Sequence, residues 1–147
     1  MKMIMETKTS DTIRCVSWNV NGLMMRKNIL HEYLVTNNID IALMQEIKCN
    51  PSDNISISGY KMFVIPSVES NETRRWNRGI VTYVKNNISS EQTQSISLGE
   101  NAQSINVECY DKKGKVIVKV QNTYVPAASI EVPITELASE KKPTNCR

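Results

Sequence analysis

An apolar run, Ile13-Arg14-Cys15-Val16-Ser17-Trp18, leads straight into Asn19-Val20-Asn21-Gly22-Leu23. Successive strand residues face opposite sides, so Asn19 and Asn21 are expected on one face. Two carboxamides thus arrive together at a strand end, where α/β sheets place their chemistry. A second run, Ile39-Asp40-Ile41-Ala42-Leu43-Met44, ends in Gln45-Glu46. A buried strand that terminates in a carboxylate can hold a metal ion. As neighbours in one sheet, the two strands would present their polar ends at a single edge.

The rest of the chain reads as one helix among many strands. Ile29, Leu30, Tyr33 and Leu34 recur at helical spacing within Lys27 to Asn37, and Asn37-Asn38 is a stop signal. Strands are expected at Tyr60 to Ile65 and Ile80 to Val84, with a short edge strand near Ile96. Ile105, Val107 and Cys109 alternate with polar residues, as in a half-buried strand. Asp111-Lys112-Lys113-Gly114 is a hairpin turn signal, and Val116 to Val125 is the return strand. Ser67 to Arg78 reads as a long polar loop. This order predicts a mixed α/β layer architecture rather than a doubly wound sheet, and no Gly-rich phosphate loop is present. The expected organisation is a flexible N-terminus over 1–11, a domain over 12–128 and a loose tail over 129–147.

With 147 residues, 40% hydrophobic and 22% charged, the composition is that of one ordinary globular domain. No stretch approaches the ~20 apolar residues that cross a membrane, and Met1 to Thr12 lacks the apolar core of a secretory signal. Cys15 and Cys109 fall within strands and are expected as small core residues, whereas Cys49 and Cys146 stand in polar surroundings and read as free thiols. None is paired as CxxC and the one histidine is His31, which argues against zinc. Reduced cysteines fit an intracellular chain. The net charge of +3 permits a nucleic-acid partner without requiring one.

Each candidate residue has an ordinary alternative. A lone Glu after a strand is commonly a solvated loop residue, and Asn21-Gly22 alone is a turn signal. Tyr124, in Asn122-Thr123-Tyr124-Val125-Pro126, can donate to a phosphate oxygen or serve as a half-buried core phenol. Arg74-Arg75-Trp76-Asn77-Arg78 puts three cations and an indole in one segment. Such a segment suits a nucleic-acid backbone, with Trp76 stacking on a base, but a loop of charges is more often just solvated. His31 reads as a helix-surface residue.

Together these residues match a family. Ser17-Trp18-Asn19-Val20-Asn21-Gly22-Leu23 resembles the opening motif of the endonuclease/exonuclease/phosphatase superfamily, which includes the apurinic/apyrimidinic endonucleases. Asp40-Ile41-Ala42-Leu43-Met44-Gln45-Glu46-Ile47-Lys48-Cys49 resembles its second motif, whose Glu binds the catalytic metal. Arg78-Gly79-Ile80-Val81-Thr82-Tyr83-Val84 and Tyr124-Val125-Pro126 resemble two further motifs, the latter supplying a Tyr to the site. Within the superfamily the chain is most similar to the endonuclease domain of jockey-type non-LTR retrotransposons. That likeness rests on Arg78-Gly79 directly before a strand, on Ala102-Gln103-Ser104-Ile105-Asn106-Val107, and on a short first helix. Ala127 follows Pro126 where apurinic endonucleases have Asn, and Asn21 stands where they have Asp.

The resemblance spans residues 12 to 128 and implies the N-terminal half of a two-sheet α/β sandwich. It implies phosphodiester hydrolysis of DNA with Mg²⁺, or Mn²⁺, held by Glu46 and Asn19. Asn21 would face the nucleic acid, Tyr124 would hydrogen-bond the phosphate, and Arg74, Arg75, Trp76 and Arg78 would bind DNA. A nuclear location would follow. The family's Asp-x-Asn and Ser-Asp-His motifs, which orient the phosphate and activate water, do not occur in this sequence. The expectations are therefore weak or absent nuclease activity, and an uncovered apolar sheet face that promotes oligomers or aggregation. Other superfamily phosphodiesterases, such as a deadenylase or a lipid-headgroup phosphodiesterase, and a non-catalytic nucleic-acid-binding remnant are the alternatives.

Overall fold

The structure is a computed structural model that describes residues 2–8, 11–97 and 102–126, with side chains from residue 12 onward. Strands β2 (Asp11–Asn19) and β3 (Ile41–Gln45) lie side by side and parallel. A parallel pair needs a crossover, and α1 (Leu23–Thr36) supplies it. The helix starts earlier than the predicted Lys27, with Gly22 at its N-cap. It buries Leu23, Leu30 and Leu34. Ile29, expected in that stripe, is 62% exposed, because a helix turns each residue about 100° from the one before.

Strand β7 (Ile80–Lys85) pairs antiparallel with β3, and β4 (Tyr60–Ile65) pairs antiparallel with β7. On the other side, β1 (Lys2–Lys8) pairs antiparallel with β2, which completes a five-stranded sheet of order β1-β2-β3-β7-β4. The N-terminus is therefore a strand rather than the flexible segment expected. It closes a β2 edge that would otherwise present unpaired backbone groups. The second sheet has three strands, β8 (Ser89–Ser97), β9 (Gln103–Tyr110) and β10 (Val116–Tyr124), in order β10-β9-β8. The Asp111 to Gly114 turn joins β9 to β10 as its sequence predicts. The segment expected as a plain loop forms a small hairpin, β5 (Val68–Glu69) with β6 (Trp76–Asn77). The tail expected as loose, 129–147, lies outside the described residues.

Two apolar cores follow from strand alternation. Ile41 and Leu43 of β3 join Ile80 and Val84 of β7 against Ile105, Val107, Cys109, Val118 and Val120 of the second sheet. Ala42, Met44, Val81 and Tyr83 face the other way, onto Leu23, Leu30 and Leu34 of the helix. Each fully buried aliphatic side chain contributes about 1.5–3 kcal/mol. The layers are thus helix, five-stranded sheet and three-stranded sheet, the α/β sandwich that the motifs imply.

The outer face of the second sheet is polar. Gln121 donates to Ser104 (3.1 Å), and Ser104 lies 3.0 Å from the Thr123 hydroxyl. Asn106 reaches Gln94 at 3.5 Å. The bare apolar sheet face expected from half a sandwich is therefore not found among the described residues. The hydroxyl and carboxamide partners of Ser104 help β9 to be buried on both faces rather than on one. Cys49 is buried in the helix-side core, not in a polar setting, and Cys109 is a buried free thiol. Cys15 is buried in the core between the sheets, as its strand position predicts. Cys146 lies outside the described residues.

Toward one end, the space between the sheets changes character. The strand faces that carry Ile41, Leu43, Val118 and Val120 end in polar residues: Gln45 on β3, and Asn122 and Tyr124 on β10. Register brings Asn19 beside Gln45, so the polar strand ends gather at one rim of the sandwich.

Candidate active site

Glu46 follows β3 directly and breaks from it. Its φ is 52° and that of Lys48 is 48°, left-handed values that a residue with a Cβ adopts at a cost of order 1–3 kcal/mol. Neighbouring backbone compensates on both sides. Gly22 and Leu23 donate their N–H groups to the carbonyls of Glu46 and Ile47 (2.9 Å each). Ile47 and Lys48 donate to the carbonyls of Gly79 (3.0 Å) and Arg78 (2.9 Å). The segment 46–48 is thereby clamped between the chain leaving β2 and the chain entering β7, with the carboxylate left partly exposed.

The phenol of Tyr124, arriving from the second sheet, donates to Glu46 Oε1 at 2.5 Å. Asn19, at the end of β2 beside Gln45, adds to the polar surroundings that favour the ionised carboxylate. Lys48 Nζ lies 3.7 Å from Glu46 Oε2 and donates to Asn21 Oδ1 at 2.6 Å. The Tyr124 hydrogen bond is the main reason that Glu46 titrates below the ordinary carboxylate range. Burial opposes it, and Asn19 and Lys48 add to it. Burial, followed by the Glu46 hydrogen bond and charge, pushes the Tyr124 phenol up to about 12, with the Arg78 charge acting against the rise. At neutral pH the pair is therefore an ionised carboxylate and a protonated phenol.

All four of Asn19, Asn21, Glu46 and Tyr124 converge, but Asn21 does so for a different reason than strand alternation. Strand β2 ends at Asn19, and Asn21 takes a φ of 46° outside it. It joins the site through Lys48, a residue that the sequence does not single out. Arg78 also belongs here. Its carbonyl accepts from the Lys48 N–H and the Ser67 hydroxyl (3.1 Å), and its charge acts on Tyr124. Arg74, Arg75 and Trp76 sit instead on the β5–β6 hairpin. Arg74 and Arg75 are exposed, and Arg74 ion-pairs with Glu69 at 3.7 Å. His31 lies on the exposed side of α1, as expected.

Glu46 and Asn19 offer hard oxygen donors, and Glu46 stays ionised. Mg²⁺ takes one or two carboxylates and completes its shell with waters, so these residues fit such an ion. No group of three or more His, Cys, Asp or Glu suited to a metal is present among the described residues, which makes the fit that of a one-carboxylate site.

The architecture is thus a two-sheet α/β sandwich with an ionised carboxylate and a phenol paired across its sheets at one rim. The chain belongs to the Endonuclease/Exonuclease/phosphatase family, whose model matches residues 16–131. A solved structure with the same fold is an endonuclease/exonuclease/phosphatase family protein from Leptotrichia buccalis C-1013-b, at 12% sequence identity and a TM-score of 0.55. The match covers 89% of this chain and 61% of that one. No curated protein matches the chain. Among the described residues, no helix is long and apolar enough to cross a membrane.

Proposed function

We propose that this chain is a module of a Mg²⁺-dependent DNA endonuclease of the jockey-type retrotransposon kind, acting in the nucleus. The observation that carries this reading is the Tyr124 phenol held 2.5 Å from the Glu46 carboxylate, with Asn19 and Lys48 around it. Glu46 and Asn19 would hold the ion, Mg²⁺ or Mn²⁺. When bound, it polarises a phosphate oxygen and stabilises a departing alkoxide. The protonated Tyr124 can donate to a phosphate oxygen and stabilise charge that develops there. Asn21 and Lys48, joined to each other beside Glu46, would face the nucleic acid, with Lys48 a cation for a phosphodiester. Arg74, Arg75 and Trp76 on the neighbouring hairpin, with Arg78, would add a second DNA-contacting segment, Trp76 stacking on a base.

No general base stands beside Glu46 among the residues described around it, and His31 lies on the helix exterior. The chain by itself is therefore expected to nick DNA weakly or not at all. Plasmid nicking, Mg²⁺ calorimetry and DNA binding test the reading together. The expected result is Mg²⁺ binding that is lost in Glu46→Ala, and DNA binding that weakens steeply with salt. A chain that binds neither Mg²⁺ nor DNA overturns the reading. Robust nicking that disappears in Glu46→Ala keeps the endonuclease and overturns the expected weakness. The exposed Arg74 and Arg75 favour one second reading, a nucleic-acid-binding module without catalysis. DNA binding that ignores Mg²⁺, with no Mg²⁺ site at Glu46, would select it.

A further inference from the structure

Directly beneath the Glu46–Tyr124 pair, the buried Asn122 meets the half-buried Gln45, a carboxamide pair that the proposed chemistry does not use. Gln45 Nε2 donates to Asn122 Oδ1 at 2.8 Å and approaches Ser17 Oγ at 3.3 Å. Asn122 Nδ2 faces three acceptors on the first sheet: Val81 O (3.0 Å), Met44 O (3.2 Å) and Thr82 Oγ1 (3.3 Å). Asn122 is 1% exposed, yet it lies on a strand face that otherwise presents Val118 and Val120 to an apolar core.

We propose that Asn122, through Gln45, is a positioning residue that sets the height of β10 over β3 and so brings the Tyr124 hydroxyl onto Glu46. Asn122 and Tyr124 share one face of β10, and Gln45 immediately precedes Glu46. The Gln45–Asn122 and Glu46–Tyr124 contacts are therefore consecutive rungs between the same two strand ends. Apolar packing between sheets is non-directional and tolerates small slips, whereas a slip of about 1 Å would break a short hydrogen bond. A carboxamide anchored to two backbone carbonyls and a facing glutamine supplies the missing direction. Fully satisfied buried polar groups rigidify a core in this way.

A second carboxamide supports the same rim. Gln103 is the cross-strand partner of Tyr124 and is 1% exposed. Its Oε1 accepts from the Gly79 N–H at 2.8 Å, and the Gly79 carbonyl accepts from the N–H of Ile47, next to Glu46. Both residues fix the rim from the second sheet without reaching the carboxylate.

The positioning role rests on the proposed function only for its Mg²⁺ readout. The test is Asn122→Leu in the full chain, read by NMR and by calorimetry with Mg²⁺. A hydroxyl proton in so short a hydrogen bond gives a downfield resonance, assigned by its loss in Tyr124→Phe. The expected result is a folded protein that loses this resonance and binds Mg²⁺ about ten- to a hundred-fold more weakly, the effect of removing outer-shell support from a metal ligand. Gln45→Leu, at a partly exposed position, should give the same two losses, and the double variant should add little to either single. If Asn122→Leu does not fold, Gln45→Leu carries the test alone. Variants that lower only the urea midpoint and leave the resonance and the Mg²⁺ affinity intact overturn the proposal. A wild-type chain that binds no Mg²⁺ refutes the proposed function, while the resonance still decides the positioning role.

Discussion

Gly79 sits where the basic hairpin meets the site, and replacing it with alanine exposes how tightly that junction is built. Its φ is +83°, and a Cβ there would lie 2.5 Å from Ser67 Oγ, 2.6 Å from Ile47 Cγ1 and 2.9 Å from the Ser67 backbone N. The left-handed conformation costs an alanine about 1–2 kcal/mol. Overpacking against Ile47 and the Ser67 backbone adds about 1–3 kcal/mol, because Ser67 is itself held by the Cys49 N–H at 2.9 Å and cannot retreat freely. Gly79→Ala is therefore expected to cost roughly 2–5 kcal/mol, a large part of the ~5–15 kcal/mol of an ordinary domain. Two glycines serve as controls. Gly59 and Gly114 have φ values of +89° and +81°, but a Cβ at either would meet nothing within 4 Å, so each should lose only the conformational part. Urea unfolding at constant pH measures all three variants. If Gly79→Ala costs no more than Gly59→Ala, residues 46–48 are not wedged against Gly79 and Ser67.

Three further outcomes follow from the geometry. Glu46 lies below its ordinary pKa, so its stabilisation is full above the ordinary carboxylate range and fades as pH falls through the lowered value. Tyr124→Phe removes the main cause, so it should cost about 1–2 kcal/mol at neutral pH, the low end for hydrogen bonds to a charged group. The difference from wild type should vanish in strong acid, and urea midpoints that differ equally at all pH values would count against it. Leu34→Ala, at a fully buried helix position, should cost about 2–5 kcal/mol, whereas Ile29→Ala, 62% exposed, should stay within about 0.5 kcal/mol in the same assay. Arg75→Ala should lower the slope of log affinity for DNA against log salt by about 1, the share of one phosphate contact; an unchanged slope would remove the hairpin from the DNA surface.

Whether a feature is legible in the sequence depends on whether each residue's company is local. The strand ends at Asn19 and Glu46 are legible because apolar runs that stop at polar residues reveal both the strand and its exit. The β5–β6 hairpin hides within a polar stretch whose turn uses Arg74 at a φ of 57° rather than a glycine. The left-handed Glu46 and Lys48 are hidden for the same reason, since no side chain there announces a turn. Asn122 carries a signal, a carboxamide on the inward parity of an apolar strand. Its meaning needs Gln45, 77 residues away, and the register that joins them is a property of two sheets together. The same register decides that Tyr124 meets Glu46 instead of water. A strand-end residue thus becomes part of a site only when something directional aligns its strand with another, and in this fold the aligning groups are the buried carboxamides rather than the apolar pattern that builds the sheets.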